Sequence, residues 1–517
     1  MIKRYSSIAD VFRQTVDKFS THEALVYPRK QQRWTYREFD RQVNRMAHCL
    51  TASGVKRGDR VSVFLLNSSE FALAFFATAK LGAIFNPINF RLSSQELAYI
   101  VKDAEPKILL FEHALQGTVA SVVEQCPGVS YLDADQSDVT WAQSLPTMIT
   151  AAPETDPEVI VDETDVYGIM YTSGTTGRPK GVVHRHRDIV QQSLIMLAMQ
   201  HLTDRDRGLV VAPLYHSGEL HAPFLSRVQA GAANIILPQF VPSQVLDIIA
   251  KERITVMLAM PTMWNMLLQA DLSQYDLRSL RLGLYGGSPM APSMVRECND
   301  RFGVELVSAY GMTEMGPSVT QLLPDEQIAK AGSAGRPLVE HEIRVARMGS
   351  RGLGEPEDLC EPGEIGEILV RGPCLMTEYY HLPEVTARAF YKDWYHSGDL
   401  GYLDSDGFLW ISDRADDLII SGSENIFPRE IEDVLFSHPG ILDVAVVGEP
   451  NETWGERVVA YVVKRDPDLT ADRLDTFLSE SATLARFKRP RTYYFVQTLP
   501  RTATGKVQKF LLRQGSS

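Results

Sequence analysis

Between about 59 and 310 the chain alternates short apolar runs with amphipathic stretches, and this alternation narrows the fold more than anything else in its 517 residues. The segments "DRVSVFLLN" (59–67), "PKILLFE" (106–112), "VYGIMYT" (166–172), "GLVVAPLYH" (208–216), "NIILPQ" (234–239), "TVMLAMP" (255–261) and "LRLGLYGG" (280–287) read as strands. Residues 69–81, 241–252 and 292–302 read as helices, the first stopping before a Gly82 C-cap. Strands alternating with helices predict a largely parallel sheet covered on both faces. Such sheets gather ligands at the carboxyl ends of their strands, where 172–181, 213–221, 286–289 and 310–314 all fall.

A chain of this length exceeds one ordinary core, so at least two domains are expected. From about 330 the texture shifts to short β segments with Gly-rich turns, "GEIGEILVRG" (363–372) and "GFLWISD" (407–413). After "DRADD" (413–417) the strands "DVAVVGE" (443–449) and "RVVAYVV" (457–463) and a helix near 471–482 outline a small α+β domain. The net charge of −13 argues against a nucleic-acid binder, which would lean on a basic face. The apolar run 71–85 is short and carries Lys80, so it reads as a buried helix and no integral membrane association is expected. Five scattered cysteines without CxxC spacing, and an N-terminus lacking a signal-type apolar stretch, point to reduced thiols and a cytoplasmic location.

The stretch "YTSGTTGRPKG" (171–181) concentrates hydroxyls and glycines before Lys180, directly after a strand-like run. Small residues let backbone N–H groups approach a ligand closely, hydroxyls add donors, and lysine adds charge, which together describe a phosphate cradle. It is not a Walker A loop, because Pro179 separates Arg178 from Lys180 and no Gly-Lys-Ser/Thr succession exists there.

This stretch, with "YGMTE" (310–314), "HSGDLGYLDSDGFLWISDR" (396–414), "SGSENIFPREIE" (421–432) and "PRTATGKVQK" (500–509), resembles in content and order the motifs of the adenylate-forming acyl-CoA synthetases, over nearly the whole chain. The resemblance implies an α/β fold: a large adenylation domain with a β-rich subdomain over 1–413, and a small mobile α+β lid over 414–517 turning on a hinge at Asp416. It implies ATP, Mg²⁺ and coenzyme A as partners, and a two-step reaction at one site. A carboxylate attacks the α-phosphate of ATP and releases pyrophosphate; the thiol of CoA then displaces AMP from the acyl-adenylate. Neither step needs a protein nucleophile, so the protein holds polyphosphate and orients the attack.

Residue by residue, the resemblance assigns Thr172, Ser173, Gly174, Thr175, Thr176, Gly177 and Lys180 to the phosphate loop. Gly286, Gly287, Ser288, Tyr310 and Gly311 fall to the adenine and acyl carbonyl, and Thr313 to the α-phosphate. Glu314, with Thr172, falls to Mg²⁺, and Asp399 to the ribose with Arg414 nearby. Lys506 is matched to the lysine of the adenylation step, and Gly422 to the channel of the CoA thiol. His216 matches a gate beside the carboxylate, and as a lone histidine it equally fits a packed loop. The run "RFKRPR" (486–491) fits either the CoA phosphates or a solvated strip.

The acyl pocket would draw on 215–223, 285–289 and 308–318. Tyr215-His216 stands where an amino-acid-activating relative would carry aspartate, which argues against amino acids. Glycines and the adaptable Met312 and Met315 favour a medium- or long-chain fatty acid. Glu219 and His221 would instead select an aromatic or polar acid, and a carrier protein in place of CoA is a further alternative. Family members occur as monomers and as homodimers.

Overall fold

The computed structural model describes residues 7–135, 139–172, 179–349, 353–414, 417–421, 424–451, 455–481, 484–501 and 507–514. The chain divides into two compact units. The first takes in Met1–Thr172, Pro179–Glu342 and Arg371–Arg388; the second takes in Ile343–Val370 and Ala389–Ser517.

Among the described residues, the first unit carries two mainly parallel sheets where the alternation alone predicted one. One has nine strands, with Glu305–Tyr310, Leu282–Gly286, Val256–Leu258, Arg207–Val210, Ala233–Ile236 and Glu23–Tyr27 running parallel in that order. The other has eight, with Val166–Thr172, Ile84–Pro87, Arg60–Phe64, Ile108–Phe111 and Ser130–Asp133 parallel at its centre. The period of a strand–helix alternation fixes that neighbours are parallel, but not where one sheet ends and another begins. An antiparallel hairpin of the eight-stranded sheet, Val166–Thr172 against Lys180–Arg185, turns the chain back, and the strands from Arg207 to Tyr310 then join Glu23–Tyr27 in the nine-stranded sheet. The hairpin loop therefore joins strand to strand, unlike a strand-to-helix phosphate loop.

The helix Ser69–Leu81 shows why the sequence reads as it does. Ser68 caps its start by accepting from the Phe71 amide at 3.2 Å, and Gly82 ends it at φ +62°. Every residue of the helix is buried, and its Phe71, Phe75 and Phe76 share one core with Leu25 of the first sheet and Val61, Val63 and Phe85 of the second. A helix apolar all round needs such a position. Lys80 is fully buried, and its three donors are taken by Asp40, Asn44 and Asp156, each at 2.7 Å. No described helix is long and apolar enough to cross a membrane, and all five cysteines are free thiols.

In the second unit, the strands Gly354–Leu359, Glu342–Met348, Gly366–Arg371, Trp394–Leu403 and Leu409–Arg414 belong to one sheet. Another pairs Gly455–Lys464 with Ile441–Asn451 on one side and with the parallel Thr492–Val496 on the other. The helices Pro428–Phe436 and Ala471–Glu480 cover this sheet through Ile431, Leu435, Leu474 and Leu478, packed on Val446 and Val462. The β segments expected after 330 thus group with the C-terminal α+β stretch.

Candidate active site

Three strand ends of the first unit converge on Thr313 and Glu314. Val166–Thr172 ends at Thr172, whose hydroxyl lies 3.5 Å from Glu314 Oε1. Lys180 opens the returning strand of the hairpin. After Glu305–Tyr310, Gly311 turns so tightly that an added Cβ would sit 1.9 Å from the Pro317 carbonyl oxygen. A single 3₁₀ turn, Thr313–Met315, then buries both Thr313 and Glu314 to 6–7 % exposure. The loop 213–221 reaches the same place: Ser217 Oγ lies 3.0 Å from Thr313 Oγ1.

Two groups that the sequence did not single out complete this arrangement. His184 Nε2 donates to the Thr313 carbonyl at 2.7 Å, and burial pulls its imidazole down to about 4. The Tyr379 hydroxyl donates to Glu314 Oε1 at 3.0 Å. His184 lies in a strand, Lys180–Arg185, whose residues 181–184 are all buried, so no alternation marks it, and Tyr379 sits in a stretch, Glu378–Tyr379, too short for any periodicity to register.

The remaining first-unit candidates lie on strand ends of the nine-stranded sheet. Gly286 closes Leu282–Gly286, and a Cβ there would press on the Ala309 carbonyl oxygen at 2.8 Å; Gly287 follows at φ +79°. Gly287 and Ser288 are exposed, and Tyr310 is half-buried. His216 caps the turn Ser217–Glu219, its Nδ1 accepting from the Gly218 amide at 3.0 Å, and burial lowers its pKa, which keeps the imidazole neutral.

Glu219 and His221 are committed inward. Glu219 pairs with Arg227 at 2.7 Å, both side chains fully buried, and burial opposed by Arg227 pushes its carboxyl up to about 7. The His221 Nε2 is hydrogen-bonded to the Tyr167 hydroxyl.

In the second unit, Asp399 and Arg414 face each other across Trp394–Leu403 and Leu409–Arg414 and pair at 2.5 Å. Two cations of the run 486–491 already have partners: Lys488 binds Glu430 at 2.6 Å and Arg489 binds Asp475 at 3.1 Å. Ser173, Gly174, Thr175, Thr176, Gly177, Asp416, Gly422 and Lys506 lie outside the described residues.

Two family models cover the chain, the AMP-binding enzyme over residues 12–380 and the AMP-binding enzyme C-terminal domain over 430–506. The long-chain-fatty-acid–CoA ligase FadD13 of Mycobacterium tuberculosis is 34% identical over 495 residues, 95% of each chain. A feruloyl-CoA synthase of Amycolatopsis sp is 36% identical over 482 residues, 93% of each chain. The o-succinylbenzoate CoA synthetase of Bacillus subtilis, solved with its acyl-adenylate, superposes with a TM-score of 0.87 at 32% identity over 97% of each chain. Matched by both models and by CoA ligases along nearly its full length, this chain belongs to the AMP-binding enzymes and is an acyl-CoA synthetase, an acid–CoA ligase working through an acyl-adenylate.

Proposed function

We propose that the acid is apolar, a medium- or long-chain fatty acid, and that it is joined to CoA at the expense of Mg²⁺–ATP. The observation that carries this reading is the inward commitment of Glu219 and His221. A buried carboxylate paired with a guanidinium, and an imidazole bonded to a phenol, gain nothing from a polar substrate. In the same segments Gly218, Gly286, Gly287 and Met312 keep accessible surface, while Met315, expected in the apolar wall, is fully buried. The fatty-acid ligase among the relatives supports the reading. The feruloyl-CoA synthase supports an aromatic acid as the second one.

Thr172, Lys180 and the hydroxyls and glycines of 173–177 hold the leaving pyrophosphate, while Thr313 meets the α-phosphate. Gly286, Gly287, Ser288, Tyr310 and Gly311 take the adenine, and His216 stands neutral beside the attacking carboxylate. Glu314 and Thr172 offer oxygen ligands of the kind Mg²⁺ prefers, and a single carboxylate leaves most ligand positions to phosphate and water. When bound, Mg²⁺ screens the phosphate charge. Asp399 accepts from the ribose hydroxyls. Lys506 supplies charge to the α-phosphate during adenylation only, because a lid of 414–517 turns about Asp416 between steps and then brings Gly422 to the CoA thiol. The enzyme works in the cytoplasm, as a monomer or a homodimer.

A screen of pyrophosphate and AMP release over acids of graded length and polarity, with and without CoA, tests this. Pyrophosphate release should peak with apolar chains of about eight or more carbons, the length at which chain burial at ~0.8 kcal/mol per methylene dominates affinity, and AMP release should require free CoA. A peak with aromatic or dicarboxylic acids would overturn the substrate, and AMP release that a carrier protein drives and CoA does not would overturn the acceptor.

A further inference from the structure

We infer that Tyr379 is a positioning residue that holds Glu314 and Lys180 at the same time; this rests on the metal and phosphate roles proposed for those two. Its hydroxyl donates to Glu314 Oε1 at 3.0 Å, and its ring face carries the Lys180 ammonium 4.3 Å from the centroid. One side chain thus touches both charged groups of the phosphate end of the site.

The backbone around Tyr379 is tied to the same two elements. The Met376 amide donates to the Glu314 carbonyl at 2.8 Å, the Thr377 amide to the Val183 carbonyl at 2.8 Å, and the Tyr380 amide to the Gly181 carbonyl at 2.7 Å. Glu378 and Tyr379 pair antiparallel with Val183 and Val182 of the strand that Lys180 opens. Residues 376–380 therefore form a strap stitched to the phosphate hairpin on one side and to the Glu314 turn on the other. Tyr379 is 5% exposed at its centre, and its own amide is satisfied by Thr386 Oγ1 at 2.9 Å.

The chemistry of the two contacts suits their tasks. A phenol fixes one carboxylate oxygen while leaving the group charged and its second oxygen available to a cation. An aromatic face holds an ammonium without neutralising it, as a carboxylate would, so the full charge of Lys180 meets phosphate. Phenylalanine would fill the same space and keep only the second contact.

The test is a Mg²⁺ titration of acid-dependent pyrophosphate release in wild type, Tyr379→Phe, Glu314→Gln and the double variant. Tyr379→Phe should raise the half-saturating Mg²⁺ by about 10-fold, as expected for one hydrogen bond to a charged group. The melting temperature and the KM for the acid should stay at wild-type values, and the Glu314→Gln background should show no further shift. Tyr379→Leu, which also removes the ring, should raise the KM for ATP by a further ~3-fold, and that increment should vanish in Lys180→Ala. A wild-type Mg²⁺ requirement in Tyr379→Phe, or an equal shift with and without Glu314, would overturn the inference while leaving the metal role standing. An unchanged requirement in Glu314→Gln would overturn the metal role itself, and this inference with it.

Discussion

Glu314, in the first unit, is held by hydroxyls, those of Tyr379 at 3.0 Å and Thr172 at 3.5 Å; Asp399, in the second, is held by the Arg414 guanidinium at 2.5 Å. Both carboxylates are nearly buried, at 7% and 4% exposure, so neither is stabilised mainly by water. Hydroxyl donors leave a carboxylate its full charge, which a divalent cation needs. An arginine partner balances the charge and leaves a set of acceptor lone pairs, which suit the neutral hydroxyls of a ribose. The difference teaches that the partner of a buried carboxylate tells what kind of ligand it is built for.

The largest expected effect separates the two half-reactions outright. Lys506→Ala should slow adenylation by about 100-fold or more, the scale of one preorganised donor aimed at developing charge. Thioester formation from supplied acyl-adenylate should be nearly unchanged, because the lysine acts in one pose only. Asp416→Pro should show the mirror image, keeping acid-dependent pyrophosphate release and losing acyl-CoA yield, since proline fixes φ near −65° and denies the second pose. Assays of both half-reactions on both variants decide this, and parallel losses in either would sink the hinge and the boundary at 414.

A smaller effect belongs to Asp399. Asp399→Ala should raise the KM for ATP by about 10-fold, and the preference for ATP over 2′- or 3′-deoxy-ATP should shrink in the variant. Preference retained in full would place the ribose contact elsewhere.

The smallest effect is on stability against acid, and it again distinguishes the units, because the buried histidines concerned all belong to the first. Burial pulls His184 and His186 down to about 4 from an ordinary 6.5, and lowers His221 well below that value. Below pH 6.5 the unfolded chain binds protons that the native one refuses, so stability is intact above 6.5 and falls towards pH 4, by up to about 1.4 kcal/mol per pH unit for each group. Glu219, pushed up to about 7, works in the opposite sense: its native carboxyl keeps a proton above the ordinary 4.5, so its contribution falls as pH rises to 7. Among the described residues five histidines are lowered, His216 and His341 included, against one carboxyl raised as far as about 7, and the melting temperature should drop between pH 7 and pH 5. A flat or rising melting temperature over that interval would contradict the burial of these rings.

Much of this was legible in the sequence for reasons that can be named. The helix Ser69–Leu81 announced itself through its stop Gly82 and the apolar run that opens at Phe71, while its cap Ser68 emerged only in the fold. Gly311, Glu314 and Asp399 were named by the order of the motifs, while the turn that leaves no room for a Cβ at Gly311 shows only in the fold. The division into two sheets was hidden, since strand pairing is a long-range choice that local periodicity does not carry. Tyr379 and His184 were hidden for a related reason: each acts on a residue more than sixty positions away, and neither sits in a pattern that composition could mark. Glu219 and His221 were visible as polar residues, but their burial against Arg227 and Tyr167 appears only once the chain is folded.

The contrast between the two carboxylates can be measured on one axis. Half-saturating Mg²⁺ for acid-dependent pyrophosphate release, at saturating ATP, is compared in wild type, Glu314→Gln and Asp399→Asn. Glu314→Gln should need at least about 10-fold more Mg²⁺ and recover only in part, because the amide keeps the shape and loses the charge. Asp399→Asn, which keeps an acceptor oxygen, should match the wild-type Mg²⁺ curve while its KM for ATP rises. Equal Mg²⁺ curves for Glu314→Gln and wild type, or an equal displacement in both variants, would contradict the assignment of Glu314 to the cation and Asp399 to the ribose.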